Sequence, residues 1–137
     1  MPICEPITNV ARTRILLVDD SEVVRRCLQA LLERHDAWQV CDEAANGLEA
    51  IEKVERAEPD LIILDFQMPE MNGLEAAREI SRRKPRLPML MVTMHMSAQL
   101  ATEARKVGVR GACSKADIHC VVEAVETLLN HGTYFPN

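Results

Sequence analysis

Short apolar runs alternate along the chain with segments in which apolar residues recur every three or four positions. The apolar runs lie at residues 15–18, 38–41, 60–65, 89–92 and 109–113. Near-continuous apolar runs favour strands that are buried on both faces of a parallel sheet. Their regular alternation with helical segments predicts five strand–helix units in a doubly wound α/β sheet.

Each strand is followed by a pattern that predicts a helix with one apolar face. Residues 38–41, by contrast with the other runs, alternate apolar and polar positions and predict a half-buried edge strand. Ser21 is a candidate N-cap, Glu58-Pro59 ends the second helix, and Gly108 ends a weakly amphipathic helix at 98–107. The residues predicted to face the core are Val23, Val24, Cys27, Leu28, Leu31, Leu32, Leu48, Ile51, Val54, Leu74, Ala77, Ile80, Ile118, Val121, Val122, Val125, Leu128 and Leu129.

The helical and strand patterns cover one continuous domain. Residues 1–13 contain Pro2, Pro6 and polar residues without periodicity, so we expect a flexible N-terminal arm. Residues 14–132 form the predicted domain, and a length of 137 residues is enough for a single core. Residues 133–137 are expected to form a C-terminal tail or the start of a linker.

Composition narrows the class of protein. Hydrophobic residues make up 47% of the chain and charged residues 27%, and the formal net charge of −5 argues against a nucleic-acid-binding surface. We interpret the basic clusters Arg25-Arg26, Arg82-Arg83-Lys84 and Arg86 as solvated helix faces and ends. Five cysteines without metal-ligand spacing suggest reduced thiols and a cytoplasmic setting. The sequence shows no secretory signal and no run long enough to cross a membrane, so no membrane partner is expected.

Polar residues that could bind a ligand or take part in a reaction lie where four of the predicted strands end. Asp19-Asp20, Asp65 and Thr93 directly follow or close apolar runs, and Lys115 comes two residues after the last run. The carboxyl ends of parallel strands share one edge of the sheet, where open α/β sheets bind ligands. We therefore expect these side chains to converge in one pocket.

Carboxylates gathered at one edge repel one another unless a cation joins them. All-oxygen ligation suits Mg²⁺ or Mn²⁺. We expect Asp20 and Asp65 to contact the metal directly and Asp19 to act through a water molecule. The backbone carbonyl of Gln67 could supply a further oxygen.

The predicted pocket suits phosphoryl transfer to a carboxylate. Asp65 would be the nucleophile, Lys115 would neutralise phosphoryl oxygens, and Thr93 would donate a hydrogen bond. A phosphatase that uses an aspartyl phosphate would need a second acid two residues after the nucleophile, where this chain has the amide Gln67. The four histidines show no arrangement with serine and aspartate that would indicate a hydrolase.

The motifs at these positions resemble those of the receiver domain of bacterial two-component response regulators. The matching segments are ILLVDDS at 15–21, DLIILDFQMP at 60–69, MNG at 71–73, VT at 92–93 and GVRGACSK at 108–115. The segment AV at 124–125 followed by GTYFP at 132–136 resembles the end of NarL/FixJ (LuxR-type) receivers. In that subfamily the chain normally continues through a linker into a helix-turn-helix DNA-binding domain. That domain is not in this sequence, which would be either an isolated receiver or a piece of a longer regulator.

This resemblance implies a flavodoxin-like (βα)5 fold with strand order 2-1-3-4-5 and a function in signalling. Asp65 would accept phosphate from a sensor histidine kinase, and Asp19 and Asp20 would organise Mg²⁺. Thr93 and Lys115 would sense the phosphoryl group and shift the face built from the fourth helix, fifth strand and fifth helix. The output would be transcription control. The chain would be a self-phosphorylating acceptor rather than an enzyme with a diffusible substrate, and it could homodimerise when phosphorylated.

Several positions depart from the usual receiver pattern. Ala112, three residues before Lys115, stands where an aromatic switch residue is common. Met94 replaces a small residue next to the phosphate, and its bulk predicts slow autodephosphorylation and poor phosphorylation by small donors. Gln67, Met94 and His95 are therefore the candidates for tuning reaction rates. Ala116 follows Lys115 where many receivers have proline.

The alternative is a receiver-like interaction module that works without phosphorylation, and the substitutions at Met94 and Ala112 would fit it. The complete acidic set argues against this reading, because a scaffold gains nothing from a cluster of repelling charges. A flavodoxin-like cofactor binder is also disfavoured, since Asp19 and Asp20 would repel a phosphate that lacks a metal.

Overall fold

A computed structural model describes residues 11–135, in which five strands alternate with five helices. Residues 1–10, which make up most of the predicted arm, and residues 136–137 lie outside this range. The elements in chain order are β1 (Thr13–Val18), α1 (Glu22–Leu32), β2 (Trp38–Ala44), α2 (Gly47–Ala57), β3 (Leu61–Asp65), α3 (Gly73–Arg83), β4 (Met89–Thr93), α4 (Ala98–Lys106), β5 (Gly111–Ser114) and α5 (Cys120–Leu129).

The strands form one parallel sheet in the order β2-β1-β3-β4-β5, which confirms the predicted topology. β2 and β5 are its edges. The register pairs Val18 with Leu64, Asp65 with Val92, and Thr93 with Ser114. Because these pairs all lie at the carboxyl ends, the residues that follow the strands share one rim.

Alternate residues of each strand pack into two cores, one on each face of the sheet. Leu16 and Val18 contact the core beneath α2, α3 and α4, whereas Ile15 and Leu17 contact the core beneath α1 and α5. Burial on both faces explains why β1, β3 and β4 appear as continuous apolar runs.

The predicted apolar faces of α1 and α2 are too wide. Val23 is 70% exposed, Leu48 is 52% exposed and Cys27 is also exposed, although all three were expected in the core. Leu28 and Leu32 in α1 carry the contact with the sheet. A helix that rests on a sheet buries a narrow stripe, so apolar residues at the margin of the helical period remain in solvent.

The predicted helix ends are observed. Ser21 accepts a hydrogen bond from the Val24 amide (3.2 Å) at the start of α1, and Gly108 adopts a φ of 101° after α4. α2 ends at Glu58, which takes the left-handed conformation before Pro59. The segment at 132–135 turns back and runs beside β5.

Candidate functional site

The structure brings Asp19, Asp20, Asp65, Thr93 and Lys115 to one rim of the sheet, as predicted. β1, β3 and β4 deliver Asp19, Asp65 and Thr93, which are at most 3% exposed. Lys115 follows β5, and its backbone amide donates to the Thr93 carbonyl at 2.8 Å. The ends of β4 and β5 are therefore tied together directly at the site.

The two adjacent aspartates differ in burial. Asp19 is buried, and its Oδ1 accepts a hydrogen bond from the Ser21 amide at 2.9 Å, whereas Asp20 is exposed. Asp19 Oδ2 is also buried and accepts no hydrogen bond from any described residue. The Lys115 ammonium lies 2.7 Å from that oxygen, but its orientation does not meet hydrogen-bond geometry. The Lys115 ammonium is therefore the charge partner of this buried oxygen.

Asp65 occupies the centre of the site. Its Oδ1 lies 3.1 Å from Lys115 Nζ and accepts a weak hydrogen bond from the Gln67 amide at 3.3 Å. Burial raises the pKa of the Asp65 carboxyl above its ordinary value, and the neighbouring Asp19 charge raises it further, against the opposing effect of Lys115. Perturbation of this kind is common at functional sites.

Lys115 is the positive charge that the site holds between two carboxylates. Burial alone would lower the pKa of Lys115, but the contacts and charges of Asp19 and Asp65 outweigh it and raise that pKa. The ammonium is therefore charged across the physiological range. Residues 11–135 contain no cis peptide bond, so Lys115–Ala116 is trans.

Thr93 and a glycine turn complete the surroundings. Thr93 Oγ1 accepts a hydrogen bond from the His95 amide at 3.2 Å, which leaves its hydroxyl proton free to donate. After Asp65 the chain turns back so that Gly73 donates to the Phe66 carbonyl at 2.7 Å. A Cβ on Gly73 would lie 2.4 Å from the Asp65 carbonyl oxygen, so only glycine fits there.

Arg25 was expected on a solvated helix face, and this prediction is wrong. Its side chain is 16% exposed, its Nη1 donates to the Asp19 carbonyl at 2.5 Å, and its Nε pairs with Glu43 at 2.7 Å. Arg25 thus braces the backbone that presents Asp19. The neighbouring Arg26 is exposed and pairs with Glu22, and the sequence does not distinguish the two arginines.

Three carboxylates offer oxygen ligands to one metal ion. Asp19, Asp20 and Asp65 each present an oxygen, and these atoms all lie within 4.8 Å of one another. Carboxylate oxygens are hard donors that suit Mg²⁺. The site is open to solvent at Asp20, and Mg²⁺ usually keeps several water ligands in its sites. The donor set of three clustered carboxylates therefore fits the predicted metal.

The candidates for rate tuning lie at the mouth of the site. Gln67, Met94 and His95 are all exposed. Met94 lines a mostly apolar groove of about 180 Å³ that also includes Val23 and Lys115. Ala112 is buried on β5 and lines a separate pocket that does not include Lys115.

Comparison with known proteins identifies relatives over nearly the whole described range. Residues 15–126 match the profile of the response regulator receiver domain. The chain is 34% identical over 124 residues to the transcriptional regulatory protein LnrK of Bacillus subtilis (strain 168), covering 90% of this chain and 56% of LnrK. It is 30% identical over 127 residues to the transcriptional regulatory protein DegU of Brevibacillus brevis, covering 92% of this chain and 54% of DegU.

A solved structure of a response regulator is also similar to this chain. The two-component response regulator of the LuxR family from Aurantimonas sp. SI85-9A1 superposes with a TM-score of 0.87 at 32% identity, covering 90% of this chain and 89% of that one. The chain spans about half the length of the two transcriptional regulators it matches. Among residues 11–135, no helix combines the length and apolar character needed to cross a membrane.

Proposed function

The chain belongs to the response regulator receiver domain family, and we propose that it is a switch in which Asp65 accepts a phosphoryl group from a sensor histidine kinase. Its relatives among the transcriptional regulators and the LuxR-family structure fit the NarL/FixJ type.

One observation carries the proposal: a buried carboxylate with a raised pKa has one oxygen held and the other available. Asp65 Oδ1 is engaged by Lys115 and by the Gln67 amide, whereas no described residue donates to Oδ2. We therefore assign the attack on phosphorus to Oδ2. A carboxylate that burial has stripped of water is a better nucleophile than a solvated one.

The transfer step forms a P–O bond to Asp65 and breaks the P–N bond of a kinase phosphohistidine. The leaving imidazole nitrogen takes a proton from water. The Lys115 ammonium can move from Asp65 to a phosphoryl oxygen, and the Thr93 hydroxyl can donate to another. The phosphoryl oxygens carry the negative charge once the carboxylate has become an acyl phosphate, so both groups would stabilise that charge in its new position.

Asp20, Asp65 and the Gln67 carbonyl would hold Mg²⁺ directly, and Asp19 would act through water. When bound, this ion supplies neutralisation of the charge on the phosphoryl oxygens. Asp19 also keeps Lys115 in place through the 2.7 Å contact, which orients the ammonium toward the acceptor.

The readout would pass through α4, β5 and α5. Movement of Thr93 and Lys115 toward the phosphoryl group would bias this face between two states. The output is transcription control through a DNA-binding domain, in the cytoplasm and with homodimerisation on phosphorylation. The names of the matched transcriptional regulators support transcription control as the output.

The test is intact mass spectrometry after incubation with Mg²⁺ and phosphoramidate, beside an Asp65→Asn variant. We expect the wild type to gain one phosphoryl group, and we expect none in Asp65→Asn or with a chelator present. Equal phosphorylation of Asp65→Asn would exclude Asp65 as the acceptor. Absence of phosphorylation with phosphoramidate and also with a phosphorylated kinase domain would favour the phosphorylation-independent module.

A further inference from the structure

The last described residues form a strap that covers the free edge of the sheet. We call residues 132–135 the C-terminal strap. The Tyr134 amide donates to the Arg110 carbonyl at 2.9 Å, and the Tyr134 carbonyl accepts from the Ala112 amide at 2.8 Å. These bonds make a parallel bridge to Gly111. β5 is an edge strand, and the strap satisfies the backbone groups that such a strand leaves unpaired.

The two aromatic side chains of the strap lie on opposite faces of the sheet. Tyr134 packs against the α1–α5 core, and its hydroxyl donates to Glu123 of α5 at 2.7 Å. Phe135 packs against the core beneath α4, and the Arg105 guanidinium lies 4.1 Å from its ring centre. The strap therefore joins α4 to α5 across the edge of β5.

A pocket beside the strap shows why its aromatic rings matter. This pocket of about 490 Å³ is lined by three β5 residues, by Met96, by Tyr134 and Phe135 of the strap, and by two residues at the start of α5 and just before it. The β5 residues are Ala112, Cys113 and Ser114, and the last two are Asp117 and Cys120. Because Ala112, Cys113 and Ser114 are all small, β5 places no bulky side chain into this space. The large groups come from the strap and from the loop that carries Met96.

Both walls of this pocket begin at the phosphorylation site. Met96 lies three residues after Thr93, in the loop that leads to α4. Ser114 pairs with Thr93 in the sheet, and Lys115 follows it with an amide bonded to the Thr93 carbonyl. Movement of Thr93 or Lys115 would therefore be transmitted to the pocket and to the strand that the strap pairs with.

We propose that docking of the C-terminal strap is thermodynamically coupled to phosphorylation of Asp65, each favouring the other. This inference rests on the proposed function, because it names the element that the phosphorylated site regulates. The strap, rather than a bulky side chain on β5, is the element that changes position with the state of the site. Its residues, rather than Ala112, report the state of the site.

The sign of the coupling follows from what phosphorylation does to β5. A phosphoryl group would bind the Lys115 ammonium and the Thr93 hydroxyl together, which restrains the carboxyl ends of both strands. β5 would then open less often, and the strap that pairs at Arg110 and Ala112 would dock more tightly. By reciprocity, loosening the strap must weaken binding of a phosphoryl group or its analogue by the same factor.

Hydrogen exchange of the full chain with and without Mg²⁺ and beryllofluoride tests whether a bound phosphoryl analogue makes the strap dock more tightly. We expect slower exchange of the Ala112 and Tyr134 amides when the analogue is bound. Unchanged exchange at both amides, with binding demonstrated by ¹⁹F NMR, would overturn the coupling and leave the proposed function intact. Failure of the analogue and of every phosphodonor to react would instead contradict the proposed function, and the coupling with it.

Titration with beryllofluoride, followed by ¹⁹F NMR, tests whether a loosened strap weakens binding of the phosphoryl analogue; the variants change the strap or its contact on α4. We expect Phe135→Ala and Arg105→Gln to weaken binding, by about fivefold for Phe135→Ala, at the lower end of typical allosteric couplings. Thr133→Ala is the matched control, because Thr133 lies in the strap but is exposed. We expect this variant to bind beryllofluoride as tightly as the wild type. Equal affinities in all four proteins, each with a native circular dichroism spectrum, would overturn the proposal.

Discussion

The Asp65 side chain combines features that oppose stability. It is 3% exposed, it stands near the buried Asp19, and Lys115 is the one described side-chain cation that contacts both. The raised pKa of Asp65 means that the charged form is disfavoured in the native protein. A buried carboxylate that lowers the stability of the native state is more readily explained by a role in the reaction than by a role in folding.

Replacing Asp65 by asparagine should therefore stabilise the protein while it abolishes phosphorylation. At pH 7 we expect the free energy of unfolding to rise by about 1 kcal/mol, the size of a typical single-site effect. The native state has the higher pKa and binds the proton more readily, so charged Asp65 lowers stability above that pKa. The gain should shrink as the pH falls toward the ordinary value of 3.8.

Urea unfolding of the wild type and of Asp65→Asn between pH 4 and pH 8 measures this, with the exposed Asp36→Asn as control. A lower stability of Asp65→Asn than of the wild type at pH 7 would contradict the claim that the charged Asp65 carboxylate destabilises the native state. A gain that grows on acidification would contradict the sign of the pKa shift.

Met94 should slow access to the phosphoryl site. Its side chain is 56% exposed at the mouth, beside Lys115 in the apolar groove. We expect Met94→Ala to be phosphorylated by phosphoramidate several times faster and to lose its phosphoryl group several times faster, since water and small donors would meet less bulk. Mass spectrometry over time measures both rates, and a longer phosphoryl lifetime in Met94→Ala would refute the prediction.

At the scale of elements, the turn between β3 and α3 sets the position of Asp65. Gly73→Ala would place a Cβ 2.4 Å from the Asp65 carbonyl oxygen and 2.8 Å from the Phe66 Cα, both backbone atoms that cannot rotate away. We expect a loss of about 3 kcal/mol in unfolding free energy, at the upper end for overpacking.

Gly47→Ala is the matched control for Gly73→Ala. Gly47 is also buried in the first turn of its helix, but the added Cβ would meet only the flexible Met71 side chain, at 2.9 Å. We expect this variant to lose less than half as much stability. Comparable losses in urea unfolding of the two variants would show that the backbone contact at Gly73 is not decisive.

The strands and their order could be predicted because the signal is local and repeated. β1, β3 and β4 are buried on both faces, so their apolar runs are uninterrupted, and the receiver motifs fix the order of pairing. The exposed Val23 and Leu48 could not be predicted, because the period of a helix does not reveal how wide a stripe the sheet will cover.

The candidate site was predicted in outline and not in detail. Strand ends place Asp19, Asp65, Thr93 and Lys115 together, but only the pleat of β1 decides that Asp19 is buried while Asp20 is exposed. Arg25 braces Asp19 through a carbonyl, which carries no sequence signature. The pairing of Tyr134 with β5 joins segments more than 20 residues apart and depends on the finished sheet.

For the whole molecule, the cluster of carboxylates links stability to divalent cations. The chain carries a formal net charge of −5, and Asp19, Asp20 and Asp65 concentrate negative charge at one rim. A ligand that binds only the native state stabilises it, by about 1.4 kcal/mol at ten times its dissociation constant. We expect Mg²⁺ to raise the unfolding free energy of the wild type by that amount.

Urea unfolding with and without Mg²⁺ measures this effect, and Asp20→Asn should show little of it. Asp42→Asn is the control, because Asp42 lies on β2 and pairs with Lys53 away from the acidic rim. An equal effect of Mg²⁺ on Asp20→Asn and on the wild type would exclude Asp20 as a ligand.

The proposed switch depends on Asp65 as the residue that carries the phosphoryl group. Borohydride reduction of the phosphorylated protein converts an aspartyl phosphate to homoserine, which peptide mass spectrometry can assign to one position. We predict homoserine at position 65 alone. Homoserine at position 19 or 20, or a phosphorylated protein in which position 65 remains aspartate, would contradict the account.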